Sequence, residues 1–268
     1  MSPKASAPST GAKPADYTPV TERPGLRSTP EALSMLVTRY AVAARHAQGK
    51  EVLEVACGAG MGLGWLGKVA KRLVGGDFTR PLLRQAQAYY KGRVPLVQLD
   101  AHALPFRDAS FDLVILYEAI YYLARPDAFL KETRRVLRPG GMLLVCSANR
   151  ERPGFVPSPL SVRYYSAREL VDLLQAHGFA VQVFGAFPAA EGKREGLINL
   201  ARKAASTVNL IPGSLKAREI LKRIVYGKLV PFPNEVSDKD APVADLVPLA
   251  PVGPTPHYKV LYALARLS

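Results

Sequence analysis

The sequence predicts an α/β fold, a mostly parallel sheet of seven strands with helices on both faces. Three observations predict it. Short apolar runs alternate with helical patterns along most of the chain. Those runs, such as "FDLVILYE" at 111–118, are apolar at nearly every position, as in strands buried on both faces. The joints between elements carry Gly, Pro or Asp, which end strands and helices.

"STPEALSMLVTRYAVAARHA" (28–47) reads as a helix. Thr29 can cap it, Pro30 suits the first turn, and Leu33, Leu36, Val37 and Tyr40 share one face. "KEVLEVA" is the first strand, followed by a glycine loop and a helix to about Lys71. "RLVGGD" is a second strand, and "TRPLLRQAQAYYKG" is a helix stopped by Gly92. "VPLVQLD" and "FDLVILYE" are the third and fourth strands. "RPDAFLKETRRVLRPGG" reads as a helix ended by Pro139-Gly140-Gly141, and "MLLVCSA" as the fifth strand. "SARELVDLLQAHGF" offers a capping box, Ser166 with Glu169, and Gly178 as its stop. "AVQVFGAF" and "HYKVLYALARL" complete the seven strands.

Residues 190–256 lie between the last two strands and are too many for a hairpin loop, so they form an insert. It opens with two basic helical patterns, 197–208 and 215–229, and continues into 231–256, which holds seven prolines and reads as an extended wrap. The net charge is +14, and 193–228 alone has nine Lys or Arg against two Glu. The expected organisation is a disordered segment or lid over 1–25, a core of 26–189 plus 257–268, and an inserted cap over 190–256. A basic amphipathic helix suits either a cap above a pocket or peripheral contact with an anionic membrane through 197–229. Nucleic acid is not expected, since no stacking platform accompanies the charge. There is no apolar run of about 18 residues and no apolar leader. The expectation is a cytoplasmic protein, with membrane contact only peripheral. Cys57 and Cys146 read as buried free thiols, and no Cys/His spacing suggests a metal.

"VLEVACGAGMGLGWLG" (52–67) holds two overlapping glycine motifs. Gly62, Gly64 and Gly67 spell the dinucleotide pattern, but it starts some seven residues beyond the strand end, and the acid expected about 20 residues on is missing. Glu54, Gly58 and Gly60 start at the strand end. Asp77 then closes the second strand and Asp100 the third, each 23 residues after the previous acid. "DAHALPFRDASFD" and "VLRPGG" follow. This set resembles class I S-adenosylmethionine-dependent methyltransferases, in particular the ubiquinone- and menaquinone-biosynthesis-like (type 11) branch.

The resemblance implies a Rossmann-like sheet and S-adenosyl-L-methionine as cofactor. It implies cofactor contacts from Glu54 to the ammonium group, Ala56, Gly58 and Gly60 in the loop, Asp77 to the ribose, Phe78 and Ala101 around the adenine, Asp100 to the adenine amino group, and Tyr117. Gly62 and Gly64 then serve close packing of the first helix. Tyr121 and Tyr122 stand where relatives often carry a His pair, so no obvious general base is present. Tyr121, Glu118 and His102 are the weak catalytic candidates, and Tyr17, Tyr121 and Tyr122 the candidate substrate contacts. The expected reaction is methyl transfer to a small-molecule or lipid-like acceptor. A cofactor-binding protein without turnover, and a membrane-surface enzyme acting on a lipid-linked acceptor, remain open.

Overall fold

A computed structural model describes residues 16–189, 228–250 and 252–267. Its central sheet is built from β2 (Glu51–Val55), β3 (Arg72–Asp77), β4 (Leu96–Gln98), β5 (Phe111–Tyr117), β6 (Leu137–Ala148), β7 (Phe179–Pro188), β9 (Val247–Leu249) and β10 (Tyr258–Leu267). The strand order is β4-β3-β2-β5-β6-β10-β7-β9. The first five are parallel, whereas β10 is antiparallel to both β6 and β7, and β9 is antiparallel to β7. The seven expected strands are all present, and the proline-rich insert adds β9 as an eighth, edge strand. Strand order runs outward from β2 in both directions, so a crevice opens at the carboxyl ends of β2, β3 and β5.

The helices follow their sequence signals. In α1 (Pro30–Ala47) the Thr29 hydroxyl accepts from the Ala32 N–H at 3.1 Å. Both halves of the Ser166–Glu169 capping box form at the start of α5 (Ala167–Gln175). Between them lie α2 (Leu63–Val69), α3 (Arg80–Tyr90) and α4 (Pro126–Val136). Core residues pack on both faces of the sheet, with Tyr40, Tyr117 and Tyr262 on the α1 side and Phe129, Leu130 and Tyr164 on the other.

Three boundaries differ from expectation. α4 stops at Val136, three residues before Pro139, and β6 begins at Leu137, paired with Phe111. Proline disfavours helical backbone at the residue before it and has no N–H for the helix, so the chain leaves early. β4 covers only Leu96–Gln98, because Asp100 turns back to bridge Ala103. α2 ends at Val69, ahead of Lys71.

The proline-rich stretch runs extended over α1 and the start of α2. β8 (Val230–Pro231) pairs with β1 (Arg27–Ser28). Val236 N–H donates to the Met61 carbonyl at 2.7 Å, and Ala244 N–H to the Thr38 hydroxyl at 3.0 Å. The helical patterns at 197–208 and 215–229 fall outside the described residues, apart from Lys228 and Leu229, which are not helical. The segment 1–15 lies outside them too.

Candidate functional site

A cavity of about 730 Å³ opens at the carboxyl ends of β2, β3 and β5. Ala56, Gly58, Asp77, Phe78, Asp100, Ala101 and Tyr117 line it, with Glu54 at its base and Tyr17, Glu118, Tyr121, Tyr122 and His102 around it. Of the residues singled out in the sequence, only Gly60 lies behind the lining.

The glycine stretch resolves by backbone angle and by space. Gly58 and Gly60 hold φ of +58° and +79°, so the bend they form favours residues without Cβ. Ala56 takes φ +60° without that freedom, a strained position at the mouth of the loop. Gly62 and Gly64 serve packing. A Cβ at Gly62 would lie 1.8 Å from the Tyr40 ring, and one at Gly64 2.0 Å from the Glu235 carboxylate.

Asp77 ends β3 and fastens this bend. Its Oδ2 accepts from the Gly58 N–H at 2.8 Å and its Oδ1 from the Thr79 N–H at 2.7 Å. Burial raises its carboxyl above the ordinary value, against the lowering effect of those two N–H groups. Each oxygen keeps further acceptor capacity.

Glu54 is almost fully buried at 1% exposure. Its Oε1 accepts from the Tyr40 hydroxyl at 2.7 Å, while Oε2 is buried with no hydrogen-bond partner. Burial pushes this carboxyl up to about 7; the Tyr40 bond and the Arg39 charge pull the other way. An orphaned carboxylate oxygen facing a cavity calls for a cation or a donor.

Asp100 is partly exposed. Slight burial works against its charge, but the His102 backbone and ring outweigh this and hold it below the ordinary range. His102 Nδ1 meets Asp100 Oδ1 at 2.6 Å, and Nε2 accepts from the Arg125 N–H at 3.3 Å. Both ring nitrogens are thus engaged by groups of the protein. His102 thus fastens Asp100 at the edge of the cavity.

Glu118 follows β5 with φ +50°, a left-handed conformation for a side-chain-bearing residue. Its Oε2 accepts from the Tyr121 hydroxyl at 2.9 Å, and Cys146 Sγ lies 3.5 Å from Oε1. Tyr121 stacks on Tyr164 with ring centres 4.1 Å apart and 18° between planes. Burial keeps the Tyr121 phenol protonated far above its usual range. Tyr122 packs against Tyr121 at 4.6 Å and against Tyr17 at 5.3 Å, and its hydroxyl meets Ser158 at 2.6 Å. Tyr17 also sets its edge to Phe78 at 6.5 Å. One side of the cavity is therefore aromatic.

Sequence reasoning missed Tyr40, Arg39 and Glu22 in this wall. Arg39 is buried at 6% exposure and pairs through Nη2 with Glu22 at 2.5 Å. A lone cation inside the apolar run "MLVTRYAVAA" was the available signal. Cys57 and Cys146 are buried free thiols, as expected. Among the described residues no group of three His, Cys, Asp or Glu can hold a metal ion, and no helix is long and apolar enough to cross a membrane.

Residues 53–145 match a family model described as "Methyltransferase domain". This stretch is therefore similar to methyltransferase domains. A probable S-adenosylmethionine-dependent methyltransferase of Mycolicibacterium smegmatis is 35% identical to the chain over 158 residues, 56% of this chain and 60% of that protein. The chain thus matches rather less than two thirds of that relative's length. A fatty-acid O-methyltransferase of the same organism is 34% identical over 122 residues, covering 42% of this chain and 44% of it. Among solved structures, a possible histamine N-methyltransferase from Thermotoga maritima has a TM-score of 0.58 at 16% identity, covering 88% of this chain and 92% of its own, a likeness of fold. Within the matched stretch, Glu54, Gly58, Gly60, Asp77, Asp100 and Tyr117 all lie on strand ends or the loops that leave them.

Proposed function

We propose that this chain binds S-adenosylmethionine and transfers its methyl group to a small-molecule or lipid-like acceptor. The observation that carries the reading is the unpartnered Glu54 Oε2, buried in the same cavity as Asp77 and the Gly58 bend. An ammonium group would satisfy that oxygen, and a ribose diol would use the remaining acceptor capacity of Asp77. Phe78, 38% exposed at the cavity, offers a ring face to a purine. Asp100, fixed by His102, offers an acceptor to an exocyclic amino group. The residues present therefore fit the cofactor.

When bound, the cofactor supplies a methyl group on a positively charged sulfur. The chain's own part is position and electrostatics. Tyr17, Tyr121 and Tyr122, with Tyr164 stacked on Tyr121, supply an apolar wall that suits a flat or aliphatic acceptor. The Tyr121 hydroxyl donates to Glu118, so that carboxylate is the acid group placed to accept an acceptor's proton. The relative that acts on fatty acids supports a lipid-like acceptor.

We further assign 190–256 to an inserted cap that governs acceptor choice, 1–25 to a lid, and 197–229 to contact with an anionic surface. Replacing 190–227 by a short Gly/Ser linker is expected to spare cofactor affinity and abolish turnover, and to reduce sedimentation with anionic vesicles.

Binding without turnover is the second reading, favoured by the engagement of both His102 nitrogens. Calorimetry with S-adenosylmethionine followed by a methyl-transfer assay over fatty acids, phenols and hydroquinones separates the two. Binding with transfer supports the first reading. Binding with no transfer supports the second, and no binding removes both.

A further inference from the structure

One loop at the rim of the cavity carries features that methyl transfer itself does not use. Between β6 and α5, Arg152 and Arg163 bracket "PGFVPSPLSV", ten residues without a charge. Of the eight large apolar side chains exposed among the described residues, three lie here: Val156 at 38%, Leu160 at 54% and Val162 at 61%. Leu160 holds φ +68°, where a bulky side chain strains the backbone. The inner side of the loop is fastened to the aromatic wall. The Ser158 N–H donates to the Tyr164 hydroxyl at 3.1 Å, and the Val162 and Arg163 N–H groups donate to the Tyr121 carbonyl at 2.7 and 3.2 Å. Arg152, Pro153 and Ser158 line the cavity itself. Anchors on both sides of Leu160 therefore hold its side chain in water. An apolar side chain kept there by a strained backbone calls for an apolar medium outside the protein.

We propose that the 152–163 loop docks on an anionic lipid layer, with Val156, Leu160 and Val162 entering its apolar boundary and Arg163 meeting the headgroups. Charge selects this occupant. From 150 to 163 three Arg stand against the single Glu151, whose carboxylate already accepts from Thr255. Arg163 is 60% exposed and shares Glu169 with Arg150, so one positive charge is left over between them. A short apolar tip flanked by arginines suits a negative interface, its aliphatic side chains below the headgroups and its guanidinium groups among them. The surface is distinct from 197–229. The proposal deepens the acceptor reading and rests on it, because docking brings the acceptor end of the cavity against the layer that holds a lipid-like acceptor.

The test uses the full chain with vesicles of phosphatidylcholine, alone or equimolar with phosphatidylglycerol. Leu160→Cys offers one reactive thiol, because Cys57 and Cys146, the two cysteines of the chain, are buried. An environment-sensitive fluorophore on that thiol is expected to shift to the blue with the anionic vesicles and to be quenched by lipids brominated on their acyl chains. Without a label, sedimentation with those vesicles should weaken about 10-fold or more when Leu160→Ser and Val162→Ser are combined, and about fivefold in Arg163→Gln. A fluorophore that stays in water while the unlabelled chain sediments places the contact elsewhere and overturns the proposal. Parental sedimentation of the double variant overturns it too, as does a parent chain that ignores the anionic vesicles or binds the neutral ones equally well. Calorimetry with S-adenosylhomocysteine on the same samples keeps the two readings apart. Parental cofactor affinity in the double variant, beside weakened sedimentation, supports a loss of docking alone. Failure of the parent chain to bind S-adenosylhomocysteine defeats the proposed function instead, and the vesicle result then decides docking by itself.

Discussion

The Tyr40 hydroxyl donates to Glu54 Oε1 at 2.7 Å and leaves Oε2 buried without a partner. A helix residue thus orients a strand-end carboxylate by one oxygen and leaves the other unpartnered. Holding that carboxylate dry costs the empty protein stability. Its folded value is about 7, above the ordinary 4.5, so its favourable contribution is fully present below pH 4.5 and is lost as pH rises through 7. The difference is about 3 kcal/mol over that window. Glu54→Gln keeps an acceptor for Tyr40 and removes the charge. The empty variant is expected to melt at a higher temperature than the parent at pH 8, with less pH dependence of stability between 5 and 8.

On the proposed function, the same residue should make cofactor binding release protons. A ligand ammonium at Oε2 favours the carboxylate and lowers its pKa, so affinity should climb as pH rises from 6 to 8. Calorimetry at pH 6.5 in buffers of different ionisation enthalpy should register release of a fraction of a proton. In Glu54→Gln this release should vanish and affinity should fall by about 10- to 100-fold, the loss of one charged hydrogen bond.

Gly62, Gly64 and Gly67 separate packing from propensity within one short helix and its cap. Gly62→Ala drives a methyl into the Tyr40 ring and Gly64→Ala into the Glu235 carboxylate. Gly62→Ala is expected to cost about 1–3 kcal/mol, and Gly64→Ala less, because the Glu235 carboxylate is the end of a flexible side chain that can swing aside. Gly62→Ala should also weaken cofactor binding, because Tyr40 holds Glu54. Gly67 is exposed, and its nearest neighbour would lie 3.9 Å from a Cβ. Gly67→Ala should stabilise by about 0.5–1 kcal/mol. Thermal melts of the three variants check the order.

Glu118 and Tyr121 should act on turnover without acting on the cofactor. Glu118→Gln is expected to leave S-adenosylhomocysteine affinity within about twofold and to lower kcat by about 100-fold or more with an acceptor that must lose a proton. Tyr121→Phe keeps the stack on Tyr164 and loses only the hydroxyl, so its effect on kcat should be smaller. Equal loss of cofactor affinity in both variants would move them out of the acceptor side.

The parts of the site legible in the sequence are those placed by strand ends. Asp77 closes a run of buried residues just as "RLVGGD" suggests, and its contact with Gly58 spans 19 positions of a single β-α-β unit. Such units are local and have one handedness, so spacing alone orders them. What stayed hidden is long-range or double-natured. Tyr40 shows helical core spacing, and its ring is indeed packed; only its hydroxyl reaches Glu54. Glu22 meets Arg39 from a segment with no periodicity to read. Glu235 reaches α2 from the insert, and β9 pairs with β7 across a proline-rich stretch whose alternation is too short to mark a strand. The end of α4 falls short of its sequence pattern, which continues to Leu137, because Pro139 withdraws the backbone from the helix.

The central claim is that the acidic strand ends and the Gly58 bend grip a single nucleoside cofactor. Calorimetric titration of Asp77→Ala with S-adenosylhomocysteine tests it most directly, on protein shown by its melt to be folded. The account predicts affinity at least about 100-fold weaker, since the diol acceptor and the anchor of the Gly58 N–H disappear together. Asp77→Asn should fall between the variant and the parent. Parental affinity in folded Asp77→Ala would contradict the account.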